Sequence, residues 1–192
     1  MRRDDLLAPM AVLAGLGYAV LRYVIAAGAS PEQIPLFITN KAIAVAGLVL
    51  IGMASLVPGA RRHRLGTTGL LLVLLHLLMS FAILNPVYFA KFYAPTGYMH
   101  WQAELSLLAG ALGTVVLVRL ATVPVIADGF RSLIPGAGRL VLLLSALHVG
   151  AIGYPSWSDT AHWPGRLPPI TLLSFLLAMG FVVARLRPRD AA

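Results

Sequence analysis

Apolar residues fall in six long runs, roughly Leu6–Ala27, Phe37–Val57, Thr67–Phe89, Trp101–Ala121, Arg139–Tyr154 and Pro169–Leu186. A helix needs about 20 predominantly apolar residues to cross the hydrocarbon of a bilayer. Four runs reach that length, and the last two come close to it. Proline and glycine punctuate the breaks between them: Ser30-Pro31, Pro58-Gly59, Pro95–Gly97, Pro135-Gly136, Pro164-Gly165 and Pro168-Pro169. Such pairs stop helices and start turns. The pattern predicts an all-α integral membrane protein of six transmembrane helices. It forms one domain over residues 1–192 with no soluble module large enough for a nucleotide.

Composition strengthens this reading. Of 192 residues, 59% are hydrophobic and only 11% charged, where a soluble domain carries about 25% charged residues. The formal net charge of +8 invites a nucleic-acid reading, but no basic patch is interleaved with aromatics. The arginines instead mark the ends of apolar runs, where they act as topology signals. The first apolar run is longer than a signal-peptide core and is expected to stay as helix 1. There is no cysteine, which excludes disulfides, iron–sulfur clusters and thiolate-ligated haem. Any redox chemistry then needs a bound cofactor.

Charge asymmetry predicts the orientation. With both termini cytoplasmic, the inner segments hold Arg2, Arg3, Arg61, Arg62, Arg64, Arg119, Arg131, Arg139, Arg185, Arg187 and Arg189. The outer segments hold Lys41, Lys91 and Arg166, so the balance is eleven against three, with Arg22 inside helix 1 and expected to snorkel outward. The positive-inside rule selects this arrangement in a cell inner (plasma) membrane. Trp101, Trp157, Trp163, Tyr88, Tyr93, Tyr98 and Tyr154 all fall on the outer side, where amphipathic rings favour the headgroup level. Two longer outer loops follow, near 86–100 and 155–168. Small residues at Gly15, Gly17, 42–47, Gly52, 109–113 and 178–180 are assigned first to close helix packing in lipid.

Two of the five histidines, His76 and His148, belong in the membrane interior, whereas His63, His100 and His162 fall at its edges or in loops. An ionisable ring at that depth needs a partner. His76 lies 12 residues beyond Arg64 and His148 lies 9 beyond Arg139, on helices that run in the same direction. At 1.5 Å per residue both rings lie about 14–18 Å from the inner boundary. Two neutral imidazoles at one level suit axial ligation of a haem iron, and six-coordination favours electron transfer. Ser145, three residues before His148, is expected to orient its ring. The competing use of each histidine is a hydrogen bond to a neighbouring helix. A zinc site needs further ligands. Lys91, His100 and Arg166 are candidates for haem propionates, an acidic partner or an acceptor, and Glu104 for pairing with Lys91 or His100.

These residues carry a resemblance. Arg61-Arg62-x-x-Leu65-Gly66 followed by Leu74-Leu75-His76, with Arg139-Leu140-Val141 and Ala146-Leu147-His148, resembles the ferric reductase-like transmembrane domain family. The similarity covers roughly Asn40 to Arg187. It implies a b-type cytochrome with His76 as the helix-3 ligand and His148 as the outer helix-5 ligand. Two-haem members carry a further inner histidine on each of these helices. His63 stands 13 residues before His76, but the stretch from Pro135 to Arg139 has no histidine, so one haem b is expected. The flavin and nicotinamide domain of larger members is missing from the chain. Electrons would then come from another protein, a quinol or a loosely held flavin, and pass to a periplasmic or membrane redox partner. The chain is expected to be an electron-transfer subunit rather than a complete enzyme. The competing function is a haem-free structural or assembly subunit of a larger membrane complex. A transporter predicts an internal repeat and a polar pathway, and neither is evident.

Overall fold

The computed structural model describes residues 6–122 and 136–186. Arg2, Arg3, Arg131, Arg187 and Arg189 of the charge count lie outside the described residues. The described chain is helical, with six helices long and apolar enough to cross a membrane: α1 (Leu7–Ala26), α2 (Pro31–Leu56), α3 (Gly59–Ala82), α4 (Trp101–Thr122), α5 (Ala137–Gly153) and α6 (Ile170–Leu186).

Local chemistry sets the ends. α1 is π-wound over Val20–Ala26 and stops before Gly28, whose φ of +71° suits glycine. α2 starts at Pro31 rather than at the expected Phe37, because Ser30 caps it by accepting the Glu32 N–H at 3.3 Å. A second π-wound stretch, Ile34–Ile38, leads into its regular part. α3 starts at Gly59 rather than Thr67, so the Arg61–Arg64 cluster belongs to its first turns. There Arg62 Nε donates to the Ala54 and Val57 carbonyls at 3.3 and 3.0 Å, closing the end of α2. α3 stops at Ala82 rather than Phe89. Beyond it the Asn85 Oδ1 accepts the N–H groups of Val87 and Tyr88 at 3.0 and 3.4 Å, turning the chain before Pro86 can be wound into a helix.

α2 packs along α1, α3 and α6, while α5 packs between α4 and α6. α3 touches α4 lightly, and α3 and α5 share little direct packing. The main core gathers Leu48, Ile51, Leu70, Leu117, Leu142 and Val182, and it closes the bundle between the histidines and the Arg61–Arg64 end. Leu7 packs against the buried Leu50, Ala54 and Leu65, and a side chain at Gly138 would meet Arg185. Both ends of the described chain therefore sit at the Arg61–Arg64 end. The opposite end carries the loops 83–100 and 154–169 and is called the loop end below.

The small residues divide by use. At Gly15, Gly47 and Gly69 a Cβ would press on a neighbouring helix, and at Gly52 it would collide with the Phe181 ring. Gly17 and Gly180 instead face open space, so helix packing does not account for them. Arg22 departs from the snorkelling expectation. It is buried, and its guanidinium donates to the Leu167 carbonyl, tying α1 to the loop before α6.

Candidate functional site

Antiparallel packing of α4 on α5 and of α2 on α3 brings His76 and His148 to the same level. Their ring centroids are 6.4 Å apart and their planes are inclined by 75°. Both rings are partly buried. They do not hydrogen-bond each other; each is anchored through Nδ1 to a third helix.

His76 Nδ1 lies 2.7 Å from Asn40 Oδ1 on α2, with Ser80 Oγ further off at 3.5 Å. The Asn40 Nδ2 donates to Ser80 Oγ at 2.9 Å. With its carbonyl end facing His76, Nδ1 is the donor in that contact and Nε2 keeps its lone pair. Asn40 is buried, and a buried amide with both ends used holds a fixed geometry.

His148 reaches the same state by a different route. Its Nδ1 lies 2.8 Å from the Ser106 main-chain carbonyl on α4, which accepts the proton. The Ser106 hydroxyl, 3.2 Å from the same nitrogen, donates to the His148 carbonyl at 2.7 Å. This reciprocal clasp is completely buried at Ser106. Gly110 makes room for the ring, because a Cβ there would lie 2.9 Å from His148 Nδ1. Among the described residues neither histidine has a hydrogen bond at Nε2. Two imidazoles with protonated Nδ1 and open Nε2 are a donor set for one soft or borderline metal between them.

The other expected residues sort differently. Ser145 does not orient His148; its hydroxyl donates to the Val141 carbonyl at 2.9 Å, the usual fate of a mid-helix serine. Ser106 takes the role expected of Ser145. Lys91 and His100 are brought together at the loop end, where they line a cavity of about 440 Å³ with Gln102, Ala151, Ser156 and Asp159. Ala151 is one turn beyond His148 on α5. Arg166 is exposed and lies elsewhere, on a turn that packs against the end of α1. Glu104 is exposed, and among the described residues no ion pair joins it to Lys91 or His100. His63 lies in the exposed first turns of α3, at the opposite end from the pair. No group of three or more histidine, cysteine or acidic side chains with metal-binding geometry occurs among the described residues.

Lys41 is more than the outer charge that its sequence position suggests. Its ammonium sits 4.0 Å from the Phe37 ring centroid, 5.1 Å from Tyr23 and 5.8 Å from Phe89. Three aromatic faces thus stabilise a cation beside the Asn40–His76 contact. The outer tryptophans are also put to internal use: Trp157 Nε1 donates to Thr171 Oγ1 at 3.1 Å and Trp163 Nε1 to the Ser156 carbonyl at 2.9 Å. Trp101 alone of the three is exposed, as a headgroup anchor requires. In the loop, His162 Nδ1 pairs with Asp159 at 2.7 Å, and this contact raises the His162 pKa above its ordinary value.

A scan against protein-family models gives no match to this chain, and no curated protein sequence matches it.

Proposed function

We propose that the chain is a six-helix membrane cytochrome b whose His76 and His148 hold one haem b between α3 and α5. The observation that carries this reading is the pair of imidazoles with ring centroids 6.4 Å apart, each pinned at Nδ1 and, among the described residues, without a hydrogen bond at Nε2. Two imidazoles sharing one metal through Nε2, at metal–nitrogen distances of about 2.0–2.1 Å, would hold their ring centroids roughly 6–6.5 Å apart. The separation found between His76 and His148 is 6.4 Å. α3 packs only lightly on α4 and shares little packing with α5, and Gly110 leaves room on α4 for the His148 ring. The resemblance of the Arg61–His76 and Arg139–His148 stretches to ferric reductase-like membrane domains supports the same assignment.

Haem held by His76 and His148 would supply one-electron transfer. The chain's own residues do the rest. Asn40 and Ser106 fix both tautomers, and the core beneath the pair keeps water from the Arg61–Arg64 end. Lys91 and His100 offer hydrogen-bond donors one turn above His148, where an acceptor or a redox partner protein would approach. Arginine placement favours that loop end as the outer, periplasmic face of a plasma membrane, with both termini in the cytoplasm. The donor on this reading is a quinol, a flavin or a partner protein. The chain then serves as the electron-carrying subunit of an oxidoreductase.

A haem-free assembly subunit is the second reading, and the same hydrogen bonds favour it, since they knit α2 to α3 and α4 to α5. Haem content per chain after purification separates the two. About one haem per chain, lost in both His76→Ala and His148→Ala, supports the cytochrome. A folded, haem-supplied protein without pigment supports the assembly subunit.

A further inference from the structure

We propose that Asn40 is the positioning residue that sets the reduction potential of the His76–His148 centre. The inference rests on the haem reading above and concerns how strongly His76 donates through Nε2.

The electron density available at Nε2 depends on the hydrogen bond that the other ring nitrogen makes. A strong acceptor draws the Nδ1 proton away, makes the ring more imidazolate-like and favours the oxidised metal. A missing acceptor does the reverse. The two histidines differ in what provides that acceptor. For His148 it is the Ser106 main-chain carbonyl at 2.8 Å, which no side-chain replacement alters, and the Ser106 hydroxyl is already spent on the His148 carbonyl. For His76 it is the Asn40 side chain at 2.7 Å. The sequence thus adjusts one ligand only, at residue 40.

The amide is an intermediate setting. It is 3% exposed, so water does not compete for its carbonyl. Ser80 accepts from Nδ2 at 2.9 Å, so both ends of the amide are used. The next residue, Lys41, directs its ammonium to the rings of Phe37, Tyr23 and Phe89 rather than to this contact. Asn40, Ser80 and His76 therefore form a closed three-residue unit across α2 and α3.

The test is potentiometric titration of the haem-loaded protein and of Asn40→Asp, Asn40→Leu and Ser80→Ala. A carboxylate at residue 40 is expected to lower the reduced-to-oxidised ratio at fixed poise by about tenfold, equivalent to about 59 mV for a one-electron couple. Leucine is expected to raise the ratio by a similar factor, and Ser80→Ala to raise it by less. A purely structural role would move the aspartate and leucine variants in the same direction. That result, or unchanged ratios in pigmented variants, overturns the inference. If the Asn40 variants lose haem, Ser80→Ala decides alone, and an unchanged ratio there overturns it. A wild-type protein that takes up no haem contradicts the haem reading itself.

Discussion

The His76 and His148 ring centroids lie 6.4 Å apart, and each ring is pinned by its Nδ1 to a helix other than the one that carries its partner. The pair is thus a meeting of four helices. α2 and α3 form one half through Asn40 and His76, and α4 and α5 form the other through Ser106 and His148. Each half fixes its own imidazole, and nothing directly joins the two rings.

Gly110 is where α4 closes on the His148 ring. A Cβ there would meet His148 Nδ1 at 2.9 Å and Cε1 at 3.2 Å. Gly110→Val is expected to displace the ring, abolish most haem binding and cost about 1–3 kcal/mol by overpacking. Gly113→Ala, whose Cβ would meet Leu144 Cβ at an ordinary 3.5 Å, is expected to keep the pigment. Haem content and thermal unfolding of both variants check the contrast.

The 75° between the ring planes predicts a spectroscopic property. Axial imidazoles set nearly perpendicular leave the ferric d-orbitals close in energy. A strongly anisotropic low-spin EPR signal is therefore expected. A rhombic signal, the mark of near-parallel rings, would contradict the ligand arrangement.

Packing at the other small residues is separable by mutation. Gly52 lies under the Phe181 ring, where an added methyl has no room, whereas Gly180 faces open space. Gly52→Ala is expected to destabilise the bundle by about 1–3 kcal/mol. Gly180→Ala is expected to be neutral within about 0.5 kcal/mol. Thermal unfolding in detergent measures both.

The loop-end pair Asp159–His162 titrates in a defined direction. Its contact raises the His162 pKa in the folded state. The pair therefore contributes fully below the ordinary histidine pKa and is lost as pH rises through the raised value. NMR titration of the His162 ring is expected to show a midpoint above that of an unpaired histidine, falling back towards it in Asp159→Asn. Because Asp159 also lines the cavity with Lys91 and His100, the loop-end charge changes across the same pH window.

Hydropathy makes the six spans legible because it records which segments leave water. Their ends are less legible. α3 runs on through Arg61–Arg64 because nothing in those residues breaks a helix, and α2 starts at Pro31 because Ser30 caps it. Counting helical rise from Arg64 and Arg139 places His76 and His148 at similar depth, but counting from the helix starts at Gly59 and Ala137 does not, because α3 begins about two turns before the membrane-facing part of its run. Asn40, Ser106 and Gly110 are invisible to that counting, since each acts across a helix interface that no local periodicity marks. Ser145 shows the converse: its spacing to His148 is inviting, but a mid-helix hydroxyl bonds its own backbone first. Lys41 looks like a solvated outer charge until Tyr23, Phe37 and Phe89 converge on it from separate segments.

The most direct test of the central claim is the reduced-minus-oxidised optical difference spectrum of the purified, haem-supplied protein. A low-spin b-type band is expected in the wild type and absent from His76→Ala and His148→Ala. A folded protein without that band, or a band that survives both substitutions, would contradict the account.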